Sequence, residues 1–269
     1  ESGFVCALYN LETGASLPDY YCDSQDAQTG TAWAYPLHEG AQNCHILYAD
    51  GTYSEAVYQP VTGWADGKAI VRDGNAVRAI DRNGSTLWRM NISLDQVQVY
   101  SDLGDRLVIE RDGVYSLIVD GKMAVTGRMP MQLNRWSDTY IGQDGGYYAL
   151  YDLSGSRLTG TYPNAMDEVG QDIYAYWVSD TEYTYIRCTE YGNPETLFTV
   201  SVSQRPGALP TDGAGVYALQ TGTREVTCFD RFGDTLGTIE APFDLRSVAF
   251  ENGCILVAGE DAEGVQQTA

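Results

Sequence analysis

Lysine and histidine are almost missing from this chain: its 269 residues hold Lys68, Lys122, His38 and His45 and no others of either type. Arginine makes up the rest of the 16 basic residues, which stand against 37 acids and leave a formal net charge of −21. A surface that negative repels phosphate backbones and anionic headgroups, so nucleic acid and membrane-surface partners are excluded. Two imidazoles leave little for a zinc site or a hydrolytic triad. Neither histidine sits by a G-x-S-x-G elbow, and His45, beside Cys44 on an expected strand, reads as a satisfied sheet-face histidine. Cys6, Cys22, Cys44, Cys188, Cys228 and Cys254 are too few for a disulfide-built scaffold and form no C-x-x-C pair. No run of 18 apolar residues is present, so no membrane insertion is expected, and no segment shows an amphipathic helical period. The first residue is Glu1 rather than Met, which reads as the trace of a removed leader.

What the chain does have is one recurring phrase: an alternating apolar strand, a tight turn with Asp, Asn or Gly, and a second short strand. It reads Leu8-Tyr9-Asn10-Leu11-Glu12-Thr13-Gly14, Ala79-Ile80-Asp81-Arg82-Asn83-Gly84, Leu150-Tyr151-Asp152-Leu153-Ser154-Gly155 and Cys228-Phe229-Asp230-Arg231-Phe232-Gly233. Looser copies stand at Tyr48 to Gly51, Ile118 to Gly121 and Thr189 to Gly192. Anchors at Asn10, Ala49, Asp81, Val119, Asp152, Glu190 and Asp230 are spaced by 39, 32, 38, 33, 38 and 40 residues, a period that marks a repeat array. Between anchors, further Asp-Gly and Asn-Gly turns follow an aromatic, as at Trp64-Ala65-Asp66-Gly67, or close a second strand, as at Arg72-Asp73-Gly74. Such dipeptides supply positive φ at small steric cost, which two-residue hairpins require.

Each repeat is therefore expected to be a four-stranded antiparallel meander, and repeated meanders without helical crossovers predict an all-β, seven-bladed β-propeller in one domain spanning residues 1–269. The expected blades are 21–58, 63–92, 97–128, 133–162, 167–201 and 207–240, with a last one built from 245–260 and 4–20. That last blade takes two strands from each terminus, which closes the array and removes its exposed edge. The first blade has the weakest opening strand, near Tyr21 to Gln25, and without it six blades are the fallback. The same closure sets Cys6 and Cys254 on neighbouring strands as diagonal neighbours, with a bridge and free thiols both open at this point. The tail from Asp261 to Ala269 reads as a polar linker end.

The run Ala79-Ile80-Asp81-Arg82-Asn83-Gly84-Ser85-Thr86-Leu87-Trp88 resembles one repeat of the quinoprotein-like propellers. The stretch from Leu150-Tyr151-Asp152 to Met166-Asp167-Glu168-Val169-Gly170 resembles the WG-type repeats of bacterial surface and cell-envelope proteins. Both likenesses concern blade construction. No Trp stands at the position matching Trp88 in the Asp152 and Asp230 copies, so the quinoprotein docking pattern is mostly missing and no cofactor carries over. The resemblance implies an extracytoplasmic propeller, secreted or held at a bacterial cell surface.

Candidate chemistry is sparse. The acids at Asp73, Asp112, Asp144 and Asp180 each join a second strand to a third, so they fall on one face and form a possible ligand face. No D-x-[DN]-x-[DN]-G loop is present, and no metal, cofactor or catalytic residue is assigned. Trp64 and Trp136 recur at equivalent places and read as packing between blades, whereas Trp33, Trp88 and Trp177 are free to serve a site. Cys188 and Cys228 share a phase before their anchors and read as small buried residues between blades. The expected function is a non-enzymatic, monomeric binding or scaffolding module that recognises a protein or glycan. The alternative is a carbohydrate-active enzyme, a glycoside hydrolase or lyase, with paired carboxylates at the ring centre.

Overall fold

The computed structural model describes residues 7–9, 16–18, 20–26, 29–36, 43–135, 137–170, 172–179, 182–188, 194–201, 216–230, 234–251, 254–261 and 264–268. These residues form short antiparallel strands, with one 3-10 turn at Leu94–Gln96 and no α-helix among them. Two compact units result, residues 1–135 with 153–155 and residues 136–152 with 156–269.

In the first unit, Tyr20–Asp26, Thr31–Pro36 and His45–Leu47 make one meander, and Lys68–Asp73, Ala76–Asp81 and Thr86–Met90 a second. Gln98–Leu103, Arg106–Arg111, Val114–Val119 and Lys122–Gly127 make the third. Ala7–Tyr9 and Ser16–Pro18 pair only with each other among the described residues. In the second unit, the fourth meander is built on Thr139–Asp144 and Tyr147–Asp152, bridged onward at Tyr148–Tyr162 and Tyr151–Arg157. The fifth is Met166–Gly170, Ile173–Ser179, Glu182–Arg187 and Glu195–Ser201; the sixth is Tyr217–Gln220, Glu225–Phe229 and Thr235–Glu240. Asp244–Glu251, Cys254–Glu260 and Gln266–Thr268 make the seventh. Seven consecutive antiparallel meanders give the all-β, seven-bladed propeller class that the period predicts. The opening strand of the first blade is present at Tyr20–Asp26, so the six-blade fallback falls away. Several blades show three regular strands where four are expected, and the missing one survives as isolated bridges, Cys44–Tyr58 and Leu47–Tyr53 in the first and Pro60–Val71 in the second.

The recurring phrase has one local cause. Asp81 accepts hydrogen bonds on Oδ1 from Asn83 N at 2.9 Å and Ser85 N at 2.8 Å, so its side chain closes the turn into the last strand. Asp152 does the same for Ser156 N at 2.8 Å and Asp230 for Asp234 N at 2.9 Å. Asp261 repeats it, accepting from Val265 N at 2.8 Å, with Gly264 at φ 77° where Gly84 has φ 78°. The tail is therefore a further copy of the phrase rather than a linker, and it folds back to pair Gln266–Thr268 with Ala258–Glu260.

At Ala258–Glu260 the chain's own next strand, Gln266–Thr268, lies on the edge where residues 4–9 are expected; residues 4–6 lie outside the described residues. Cys254 carries a free, exposed thiol, so the bridge to Cys6, which lies outside the described residues, is not formed.

Within each unit, cores lie between consecutive meanders. Ile70, Val77 and Ala79 of the second meet Leu107, Ile109 and Ile118 of the third, while Ala69, Val71 and Ile80 turn the other way to Trp33, Cys44, Ile46 and Tyr58 of the first. Middle strands are thus covered on both faces, which is why Ala69, Ile70 and Val71 are all fully buried. In the second unit, Cys188 sits between the fourth and fifth meanders with Ile141, Leu150, Met166 and Tyr174, and Cys228 between the sixth and seventh with Phe243, Leu245 and Val257. Both cysteines are the small interblade residues that their phase predicts. The last strands are different: Thr235–Glu240 is exposed at all six positions, and Thr86–Met90 and Lys122–Gly127 are exposed at most of theirs.

Candidate functional site

The expected ligand face rests on the turns between second and third strands. Three of its four acids are described, and each caps a hairpin paired to its tip: Asp73 opposite Ala76, Asp112 in the loop between Arg111 and Val114, and Asp144 opposite Tyr147. Asp180 lies outside the described residues. The loops need left-handed backbone, supplied by Gly74 at φ 61°, by Asp112 and Gly113 at 53° and 74°, and by Gly145 and Gly146 at 57° and 86°. The structure gives the three acids three different settings. Asp73 accepts a hydrogen bond from Arg89 Nε at 2.7 Å, and that guanidinium holds its carboxyl below the usual aspartate range. The Asp112 side chain is 94% exposed, with Arg111 Nε 3.9 Å away. Asp144 is exposed at the strand end.

An open groove of about 440 Å³ lies beside the Asp112 tip, lined by Asp95, Gln96, Val97, Gln98, Glu110, Arg111 and Asp112. One wall is the segment entering the third meander, where the 3-10 turn Leu94–Gln96 is held by Arg72 Nη1 donating to Asp95 Oδ1 at 2.8 Å. The other is the hairpin itself, braced by Gly113 N donating to Glu110 Oε1 at 2.5 Å. Carboxylates accept only, the guanidinium donates only, and the two amides do both, so the groove offers hydrogen bonds of either sense along an extended strip. Sequence reasoning finds Asp112 but misses Asp95, Gln96 and Gln98. Their signal is the polar linker Ser93-Leu94-Asp95-Gln96, whose position against the next hairpin is a tertiary fact.

The residues left free for a site are mostly occupied. Trp33 is fully buried, packs at a tilt against Trp64 with 4.7 Å between ring centroids, and donates from Nε1 to Thr62 O at 3.0 Å. It is an interblade core residue, as Trp64 is; Trp136 lies outside the described residues. Trp88 is half-buried against Gly121 of the next meander, and Trp177 packs edge-on to Tyr183. His45 shares its Nδ1 proton with Ser54 O at 2.7 Å and lies edge-on to Tyr20 and Tyr53, while Cys44 points into the core, where burial pushes its thiol up to about 12. Neighbours in sequence, these two face opposite sides of the sheet. Among the described residues, no group of three or more His, Cys, Asp or Glu is arranged to hold a metal ion.

No protein-family model matches the chain, and no curated protein is similar to it. Solved structures are. The C-terminal WD40 domain of Sif2 superposes with TM-score 0.50 at 11% identity over 88% of this chain and 78% of that one. BamB from Moraxella catarrhalis gives TM-score 0.44 at 15% identity over 91% and 80%, and apo AztD from Citrobacter koseri 0.48 at 13% over 86% and 75%. At 11% identity the WD40 likeness is one of fold alone, a β-propeller.

Proposed function

We propose that this chain is a non-enzymatic binding or scaffolding propeller of a bacterial cell envelope, working outside the cytoplasm, and that it recognises a protein or glycan through the second-to-third-strand hairpin tips. The single observation that carries the reading is the groove beside Asp112. Its volume lies in the range of small-ligand sites, yet it is open and lined mainly by polar and charged residues rather than by apolar walls. That lining suits a hydroxyl-rich or peptide ligand lying along the surface. Hairpins paired to their tips present Asp73, Asp112 and Asp144 with little ordering left for a ligand to impose. The envelope location draws on the WG-type repeat resemblance, and the net charge of −21 fits basic or uncharged partners.

Titration calorimetry with soluble cell-wall glycan fragments and with short arginine-containing peptides tests the reading. A hydrogen bond to a charged group contributes about 1.5 to 3 kcal/mol, so Gln98→Ala with Asp112→Asn should weaken the bound class at least about tenfold. Glu55→Gln, on the exposed surface of the first meander, should leave it unchanged. Equal affinity for both variants would remove the groove from the argument.

A further inference from the structure

The groove of the third meander runs on into an aromatic corner. Glu110, in the groove wall, pairs with Gln98 on one side and with Tyr115 on the other, so the three side chains stand abreast on one face of the sheet, with about 5 Å between neighbouring Cβ atoms. Tyr100 joins them through a bulge. It is the extra residue between the Ser101–Val108 and Val99–Ile109 pairs, and such an insertion re-aims a side chain out of the regular alternation. Its ring centroid lies 4.8 Å from that of Tyr115 at an interplanar angle of 78°. In an edge-to-face pair each ring keeps at least one face that its partner does not cover, and Tyr100 is 44% exposed. The acids of the groove are each already engaged by the chain itself: Asp95 with Arg72 at 2.8 Å, Glu110 with the Gly113 amide at 2.5 Å, and Asp112 with Arg111 at 3.9 Å.

We propose that this groove is a subsite for an uncharged oligosaccharide, with one pyranose ring stacked on the Tyr100–Tyr115 corner and its hydroxyls shared between Gln98 and Glu110. The proposal rests on the ligand face assigned to the hairpin tips above and names its ligand class. A pyranose has a face of C–H bonds and a rim of hydroxyls. The C–H face meets the electron-rich face of an aromatic ring. Each hydroxyl donates to a carboxylate and accepts from an amide N–H, the two partners that stand abreast at Glu110 and Gln98. Charge selects against other occupants. An anionic ligand meets three carboxylates on a chain of net charge −21. A guanidinium or ammonium ligand meets three acids of which two already face Arg72 and Arg111, so like charges would crowd the same carboxylates. A hydroxyl takes one of the lone pairs that each carboxylate still has left and brings no charge. The volume of about 440 Å³ suits a short chain of sugar units lying along the strip.

The probes are three neutral trisaccharides, cellotriose, maltotriose and tri-N-acetylchitotriose, and one blocked peptide, Gly-Arg-Gly-Arg, each titrated into the full chain by calorimetry. At least one trisaccharide binds, with an affinity that about 0.5 M salt leaves unchanged because no net charge is paired. Tyr100→Ala weakens it at least about fivefold, whereas Tyr100→Phe, which keeps the ring, stays within about twofold of the parent chain. Equal trisaccharide binding by Tyr100→Ala, or a trisaccharide affinity that falls with salt, would overturn the proposal. Binding by the peptide and by none of the trisaccharides, lost in the Gln98→Ala, Asp112→Asn double variant, would overturn the sugar assignment and leave the hairpin-tip reading in place. No binding by any probe, or binding that the double variant keeps in full, would remove the groove and the sugar subsite together.

Discussion

The two ends of a blade use the same turn chemistry for opposite purposes. At one end, the turns from first to second strand are wedged against a neighbour: a Cβ on Gly30 would stand 2.6 Å from Ala49 Cβ, on Gly67 3.2 Å from a Thr29 methyl, and on Gly104 3.0 Å from Ala65 O. Side chains tie these turns across blades. Asp26 Oδ2 accepts from Gly67 N at 2.8 Å and Thr29 Oγ1 at 2.7 Å, and Thr62 Oγ1 donates to Gly104 O at 2.6 Å. At the other end, a Cβ on Gly74, Gly113, Gly145 or Gly146 meets nothing within 4 Å. All of these glycines sit at positive φ, from Gly104 at 56° to Gly146 at 86°. Backbone conformation therefore does not separate a structural turn from a presenting one; what abuts it does. In the first three meanders the tied end holds neighbouring blades together, and the open end is the one proposed to meet a ligand.

The largest test of that contrast removes a tie. Asp26 is buried, and Asp26→Ala strips the partner from the Gly67 amide and the Thr29 hydroxyl, each worth about 1 to 3 kcal/mol when left unsatisfied. A loss of about 3 kcal/mol in urea unfolding is expected, and Asp112→Ala at the open end should cost a few tenths at most. Comparable costs at both ends would break the comparison.

A matched glycine pair sharpens it. Gly30→Ala and Gly74→Ala both place a Cβ on left-handed backbone, which costs about 1 to 2 kcal/mol. Gly30→Ala must also displace Ala49, which adds about 1 to 3 kcal/mol of overpacking, whereas Gly74→Ala adds nothing. The difference between the two unfolding midpoints isolates packing from conformation.

How far each end could be read from sequence differs in the same way. The Asp-x-x-Gly phrase was legible at Asp81, Asp152 and Asp230 because its hydrogen bonds are local to the turn. The copy at Asp261 was missed because its strands, Cys254–Glu260 and Gln266–Thr268, lack the aromatic markers of the others. The outward acids were found, but the Arg89 partner of Asp73 lies 16 residues away on another strand, and the Asp95 wall of the groove is set by how a linker packs. Trp33 looked available because no other blade has its equivalent, yet the space it fills exists only once the first two meanders meet. Properties fixed within a hairpin were readable; those fixed by the next blade were not.

A smaller effect checks which cysteines belong to the packed interior. Burial raises the thiols of Cys44, Cys188 and Cys228, and Cys254 alone among the described cysteines is exposed. Since the thiolate is the reactive form, Ellman's reagent at pH 8 should show a fast phase that Cys254→Ser removes. A fast phase that survives the substitution would place a reactive thiol elsewhere.

The smallest expected effect asks whether the open end is as unconstrained as its glycines. Asp73 differs from Asp112 in carrying a guanidinium, with Arg89 Nε at 2.7 Å. The ion pair lowers the Asp73 carboxyl below its ordinary 3.8, so the stabilisation it brings is present above the unfolded value and lost as pH falls through the lower folded one. Because both partners are solvent-exposed, screening keeps that contribution small, and the titration itself is the better readout than unfolding. Carboxyl carbon shifts in labelled protein should show the Asp73 midpoint rising in Arg89→Gln toward its ordinary value. If the midpoint stays where it is, the Arg89 contact does not govern Asp73, and the two tips present equally free carboxylates. If it rises, the Asp73 tip is partly neutralised in advance, and ligand binding at this face should depend more on Asp112 and the groove than on the acid one blade before it.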